Sequence, residues 1–495
     1  MTRRGRTPRR LCSLRTAGAL QLPALIEVFM QKSHIIGSRD FYRRTMAIAV
    51  PIMIQNFITN FVGMLDNIMV GRVGTDPMSG VSIVNQLLFV FNLCIFGGLA
   101  GVGIFTAQFY GKGDDKGVRY TFRFKVILAL VITLLGVLIL HFGSSTFIWK
   151  FLHEDGGSGD AEMTFHYAKE YLFVMYFGLL PFAATNVYAG TMRETGETVT
   201  PMRAGVIAVL VNLVGNYVLI YGKFGAPALG VVGAALATVI SRFVEAVYVV
   251  VWMHTHKERN TFLEGVFSSF RIPPGLVGNI VVKGTPLLLN EALWSAGMAV
   301  LNQNYSMRGL SVVAAMNISS TISNLFSVAF FTMGNATAIM IGQELGTGDT
   351  EKVKVDADLL TWFSVFLCAV SGMMLFTVSG IFPRIYNTSD EVRHIATSII
   401  RIGALCMPIY AYMNAAYFIL RSGGKTIITF LFDSCFAWVF SIPLAYVLAH
   451  FTSVPITEMY LAVQLLDLVK CVIGYVLVKK GVWINNITTY AGQAD

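Results

Sequence analysis

The sequence predicts an all-α integral membrane protein of twelve transmembrane helices arranged as two six-helix bundles. Three observations carry this reading. The 495 residues are 55% hydrophobic and 13% charged, with a mean hydropathy of +0.63, where an average soluble protein carries about 25% charge. The apolar residues form continuous runs of spanning length, roughly 20 residues, without the alternation of an outer-membrane barrel. Short motifs also recur in the second half of the chain at a fixed distance from their first occurrence. Such a composition excludes a disordered chain, a nucleic-acid-binding globule and a disulfide-stapled secreted domain.

The runs follow one another with short connections. The first six lie at about 46–70, 79–110, 126–142, 171–191, 202–221 and 228–252. The second six lie at about 276–305, 311–342, 359–382, 395–420, 427–449 and 459–478. An even number of crossings puts both termini on one side. Lysine and arginine number 27 on that side against seven on the other, which makes it cytoplasmic. Residues 46–255 therefore read as an N-terminal six-helix lobe, 256–275 as a cytoplasmic linker, 276–480 as a C-terminal lobe and 481–495 as a cytoplasmic tail.

The net charge of +9 belongs to one segment. Residues 1–44 hold nine arginines and one lysine against Glu27 and Asp40, which leaves the rest of the chain at +1. Residues 1–45 read as a basic cytoplasmic tail, or as sequence translated ahead of a start at Met30. A transit peptide or twin-arginine signal fits less well, because Arg15 interrupts the apolar core that should follow Arg9-Arg10. Five of the six cysteines lie inside spans with no C-x-x-C spacing and read as small apolar fillers.

Two motifs are duplicated. Gln108-Phe-Tyr-Gly111-Lys-Gly113-Asp114 returns 235 residues later as Gln343-Glu-Leu-Gly346-Thr-Gly348-Asp349, and Pro51 and Pro286 share that offset. Arg193-Glu-Thr-Gly196-Glu-Thr198 returns 228 residues later as Arg421-Ser-Gly-Gly424-Lys-Thr426. Glycines supply left-handed helix caps and the acids cap the next helix, so these motifs read as tight cytoplasmic turns. The Gly-Gly-Lys-Thr run is no nucleotide loop, since Ile419 stands where that loop needs glycine. Parallel repetition of six helices is an architecture of secondary transporters, with a binding cavity between the halves.

Ionisable groups inside spans are costly and read as functional. Arg242 with Glu245, and Asp467 with Lys470, are three apart and can neutralise each other on one helical face. Asp66, Glu291 and Asp433 have no basic residue within a turn and need a distant partner, water or a proton. Asn212 and Asn216 share a face of the fifth span and Thr238 adds a hydroxyl from the sixth. With Asp66 they form either an all-oxygen cation site of single charge or interhelical hydrogen-bonding glue.

The stretch from Pro51-Ile-Met-Ile-Gln-Asn to Leu65-Asp66-Asn67-Ile-Met-Val-Gly71 resembles the first helix of the multidrug and toxic compound extrusion (MATE) family. The duplicated turns and Asn212-Leu-Val-Gly-Asn216-Tyr-Val-Leu-Ile-Tyr-Gly resemble the same family, over residues 41–480. The resemblance implies a NorM-like exporter driven by inward sodium or proton flow. It implies that Asp66, Asn212, Asn216 and Thr238 bind the coupling ion, that Glu291 serves cation or substrate binding, and that Asn186 lines the cavity. Asp433 has no family role and is a cavity candidate only. Some branches carry Asp in place of Asn216, and others a carboxylate near Tyr410 where this span has none, so the coupling ion stays open between sodium and proton.

The expected function is export of organic cations and drugs by alternating access, in a monomer of the inner (plasma) membrane in contact with lipid. No enzyme activity, cofactor, structural metal or nucleic-acid partner is expected; H-E-x-x-H and G-x-S-x-G are both absent. The alternatives are a lipid-linked oligosaccharide flippase of the same superfamily, which needs a basic cavity, and a non-transporting membrane protein.

Overall fold

The computed structural model describes residues 37–154 and 160–488. Among the described residues, twelve long helices follow in chain order. The first half holds α1 (Arg39–Gly71), α2 (Thr75–Lys112), α3 (Asp115–Glu154), α4 (Ala161–Glu194), α5 (Val199–Tyr221) and α6 (Gly230–Thr255). The second half holds α7 (Pro274–Ser306), α8 (Leu310–Thr347), α9 (Thr350–Val378), α10 (Asp390–Ser422), α11 (Thr426–Phe451) and α12 (Ile456–Lys479). Eleven of them are long and apolar enough to cross a membrane. The exception is α7, which carries Lys283 in its first half, Asn290 and Glu291 at its middle and Asn302, Gln303 and Asn304 at its end. Inside α11, Leu431–Cys435 and Ala437–Ser441 are wound as π-helix.

The helices overshoot the apolar runs. Helix α3 has 40 residues, about 60 Å at 1.5 Å per residue, twice the roughly 30 Å of a hydrocarbon core. Its excess lies at both ends, in the charged start that includes Asp115, Lys116, Arg119 and Arg123 and in the continuation from Gly143 to Glu154. Helix α1 likewise begins at Arg39 and not Met46, capped by Ser38, whose hydroxyl accepts from the Phe41 N–H at 3.2 Å. Residues 39–45 of the expected tail are therefore helical, with Phe41 and Thr45 buried. The remainder of that tail up to residue 36 lies outside the described residues, as do residues 489–495.

The duplicated turns form alike in both halves. Gly113 and Gly348 end α2 and α8 in the left-handed conformation, at φ 76° and 84°, which a side chain would strain. The carboxylates of Asp114 and Asp349 then accept the N–H of Gly117 at 2.9 Å and of Lys352 at 3.1 Å, capping α3 and α9.

In the first half α2 packs on α3 and α4, α4 on α6, and α5 on α6 and α1. In the second, α8 and α9 pack on α10, α10 on α12, and α7 on α11. The halves meet where α2 lies against α7 and α8, and α1 against α8. Helix α1 belongs to both halves. Its start buries Phe41, Ile48, Ala49 and Ile52 with Met333, Ile339, Met340 and Trp483 of the second half, while its end buries Val70 in the first-half core.

The linker is strapped down. Arg123, 6% exposed, donates to the carbonyls of Val266 at 2.7 Å, Gly265 at 2.7 Å and Arg271 at 3.2 Å, and Arg119 to that of Phe262 at 3.0 Å. Charged hydrogen bonds are worth more than neutral ones. Arg123→Ala is expected to speed proteolytic cutting within residues 256–275 about tenfold, read by limited trypsin digestion; an unchanged rate would show that the strap does not hold the linker.

Candidate functional site

Asp66 lies five residues before the end of α1, and the Tyr221 hydroxyl pins that end to α5 by donating to the Met69 carbonyl at 2.9 Å. The Asn216 amide donates to Asp66 Oδ1 at 2.7 Å. Polar partners fix the Asn212 amide with its nitrogen toward Asp66, 3.0 Å from Oδ1 and 2.8 Å from Oδ2, and its oxygen toward the Thr238 hydroxyl at 3.2 Å. The four residues, of which spacing linked only Asn212 and Asn216, lie together in one cluster, on α1, α5 and α6. Asn216 Oδ1 is buried beside it with no hydrogen-bond partner among the described residues. One carboxylate with adjacent amide and hydroxyl oxygens suits a proton or a hard monovalent cation. Among the described residues no group of three His, Cys, Asp or Glu could hold a metal ion.

The cluster opens on a cavity of about 940 Å³ between the halves. Asp66, Asn186, Asn212, Thr238 and Glu291 line it. Asn186 donates to the Phe182 carbonyl at 2.9 Å. Glu291 packs its stem against Gly97 of α2, where an added Cβ would come within 3.1 Å of the Glu291 Cγ.

Asp433 departs from expectation. It is not among the residues lining the cavity. Its Oδ1 lies 3.5 Å from Lys470 Nζ, which also lies 3.8 Å from Asp467, and its Oδ2 accepts from Asn290 at 3.1 Å. The partner that Asp433 lacked on its own helix is supplied by Lys470 of α12. Asp467 and Lys470 pair as expected. Arg242 does not close on Glu245; it donates to the Gly178 carbonyl at 3.3 Å and covers the Phe182 ring at 4.9 Å.

Of the four cations that line the cavity, sequence reasoning singled out Arg242 and missed three. Lys125, ion-paired with Glu194, lines it together with Arg193 and Arg421. Arg193 and Arg421 open the second duplicated motif and were read as loop residues, but α4 and α10 run through them. Their matched places in the two repeats were the available signal.

At the end of the bundle that carries the duplicated turns, the halves interlock. Gly111 and Gly346 bring α2 and α8 together backbone to backbone. A Cβ on Gly111 would fall 1.8 Å from the Gln343 carbonyl oxygen, and one on Gly346 2.0 Å from that of Gln108. Each glutamine docks on the opposite half's turn. Gln108 donates to the Ser422 carbonyl at 2.9 Å and accepts from the Ile487 N–H at 2.8 Å. Gln343 donates to the Glu194 carbonyl at 2.8 Å and accepts from Arg44 at 3.1 Å, and Arg44 also pairs with Glu344 at 3.2 Å. The turns expected from sequence are therefore also a reciprocal lock.

The MatE family model matches the chain twice, at residues 51–218 and 286–447. The chain belongs to the MATE family. The two matches begin at Pro51 and Pro286, the pair 235 residues apart in the repeat. With MATE membership come multi-pass membrane transport and no enzymatic chemistry. The chain is 27% identical over 424 residues to the probable multidrug resistance protein NorM of Thermotoga maritima, covering 83% of this chain and 86% of that one. It is 24% identical over 414 residues to the multidrug resistance protein MdtK of Edwardsiella ictaluri, covering 82% and 87%. The MATE fold agrees with solved structures. An outward-facing multidrug resistance MATE transporter of the MOP superfamily matches at a TM-score of 0.78 and 18% identity over 88% of this chain and 95% of that one. A MOP superfamily transporter from Pyrococcus furiosus matches at 0.76 and 19% over the same shares.

Proposed function

We propose that this MATE protein is a secondary active antiporter that exports organic cations and drugs in exchange for sodium or protons by alternating access. The observation that carries the reading is that Asp66 belongs at once to a hydrogen-bonded cluster fit for a small cation and to the wall of the cavity between the halves. A coupling ion at Asp66 competes with the Asn212 and Asn216 amides for the carboxylate, and α1 carries any resulting shift into the second-half core through Ile48 and Ile52. Twelve crossings in two six-helix bundles, with both termini on the cytoplasmic side of the inner (plasma) membrane and a monomer as the working unit, complete the reading. On that orientation the interlocked turns close the cytoplasmic side and the cavity faces outward. Asn186 and Glu291 serve the drug-binding wall. Asp433 serves the framework of the second half.

The oligosaccharide flippase is disfavoured because the cations lining the cavity are matched in number by acids, four against four. The test is uptake of a fluorescent organic cation into inverted vesicles, driven separately by sodium and by pH gradients. Accumulation under at least one gradient is expected, and failure of both to move any cation would overturn the antiport reading. One-for-one exchange of an ion for a monovalent organic cation moves no net charge, so the driving force is the ion gradient itself, and a tenfold gradient supplies about 1.4 kcal/mol, enough for roughly tenfold accumulation.

A further inference from the structure

The interlocked end of the bundle contains two acids that the transport reading leaves unused. Glu344, beside Gln343 on α8, is 2% exposed. Its Oε1 accepts from Arg44 at 3.2 Å, and its Oε2 is buried with no donor to accept from among the described residues. The group that Glu344 meets there is a second buried carboxyl, that of Asp356 on α9, in hydrogen-bonding contact. Ionised carboxylates only accept, so two of them share a hydrogen bond only with a proton between them.

The other charges acting on Glu344 are Arg44 of α1 and Lys352 of α9, the latter exposed and screened by solvent. From α10 and the segment after α12 the same core receives Ile419, Leu420 and Trp483, which carry no charge, and Lys479 of α12 is taken by Asp358 at 2.8 Å. Among the described residues one guanidinium thus closes on a pair of buried acids. The 235-residue repeat puts Phe109 and Thr121 at the matched places of the first half. A ring and a neutral hydroxyl serve there, so the acid pair is no requirement of the repeated helix packing.

We propose that Glu344 and Asp356 form a proton-binding site that latches the start of α1 and makes closure of the interlocked end pH-dependent. Arg44 joins the site to the lock, because the same guanidinium donates to Glu344 and to Gln343, and Gln343 donates across to the Glu194 carbonyl of the first half. In the closed state the pair lies under the start of α1, where Phe41 and Thr45 are buried, and one shared proton leaves it matched in charge with Arg44. Loss of that proton sets two buried negative charges against one positive charge. Water relieves them when Arg44 and Gln343 release their partners. The closed state holds a proton that the open state gives up, so acid favours closure and alkali favours opening, by up to about tenfold per pH unit. On the orientation proposed above, the proton comes from the cytoplasm.

The test uses purified full-length protein with spin labels at Lys116 and Glu351, both exposed on the first turns of α3 and α9. The parent protein is expected to show a short distance in acid that gives way to a longer one in alkali. Glu344→Gln is an uncharged counterpart of the protonated acid that still donates to Asp356, and it should keep the short distance throughout. Asp356→Asn should do the same, and it serves if Glu344→Gln does not fold by thermal unfolding. Infrared difference spectra between acid and alkali should show a protonated carboxyl band in the parent that both variants lose. Asp66→Asn removes the acid of the other cluster and should leave the pH response in place. A parent distance that does not move with pH, a response kept by both Glu344→Gln and Asp356→Asn, or one abolished by Asp66→Asn would overturn the latch. A latch that titrates as stated in a protein that moves no dye under either gradient would be upheld, and antiport alone would be overturned.

Discussion

Asp66→Asn protein in inverted vesicles is expected to accumulate no organic cation under a sodium gradient or a proton gradient directed out of the lumen, while it still reaches the membrane and binds the drug. The substitution keeps the size and shape of the side chain and replaces one carboxylate oxygen by an amide nitrogen. Asn212 and Asn216 retain an oxygen to donate to, so the contacts among α1, α5 and α6 are disturbed and not erased. Lost instead is the negative charge that lets an ion compete for the site. Without that ion the roughly tenfold accumulation available from a tenfold ion gradient disappears, and what remains is equilibration across the bilayer. Dye uptake measured beside equilibrium binding separates the two effects. Undiminished uptake in the variant would remove Asp66 from the mechanism, and lost binding with intact coupling would make it a drug contact. Asn216→Leu supplies a second comparison, because it removes the amide that donates to Asp66 together with the unpartnered Oδ1 and keeps the carboxylate.

The helices were legible because lipid imposes a crude requirement, a long apolar run, that hydropathy reads directly. The same logic misplaced their ends. Charged helix starts, such as Asp115 to Arg123 and Arg39 to Arg44, continue the helices beyond the apolar run and are invisible to a hydropathy count. Asn212 and Asn216 were legible for a local reason, since they are one turn apart on one helix, whereas Asp66 and Thr238, on other helices, joined them through the family resemblance. Asp433 and Arg242 failed for the opposite reason. Their partners, Lys470 on α12 and the Phe182 ring on α4, lie on other helices, and spacing along one helix says nothing of a neighbour's face. Arg193 and Arg421 fell between the two methods: each sits past its apolar run, where it counts as loop, and inside its helix, where it faces the cavity. The duplicated turns were read correctly as local glycine chemistry, but Gln108 and Gln343 spend their amides on the other half of the molecule, which no local reading can anticipate.

That second role predicts the effect of enlarging the crossing. Gly111→Val or Gly346→Val places a Cβ 1.8 or 2.0 Å from a backbone carbonyl oxygen of the opposing helix. A flexible side chain could turn aside; a helix backbone cannot, so α2 and α8 must part by more than an ångström. Parting them pulls Gln108 from Ser422 and Ile487, and Gln343 from Glu194 and Arg44. Overpacking of this kind costs about 2 kcal/mol, which shifts a two-state equilibrium about thirtyfold toward the conformation in which the crossing is open. Each half keeps its own packing, so the variants are expected to fold, bind drug and lose most turnover. Spin labels at Lys116 and Lys352, both exposed on the first turns of α3 and α9, report the change as a longer distance in the variants than in the parent protein. Alanine at the same sites should give the same direction with a smaller shift. An unchanged distance together with unchanged uptake would mean that the crossing is packing alone, and that closure of this side is held elsewhere.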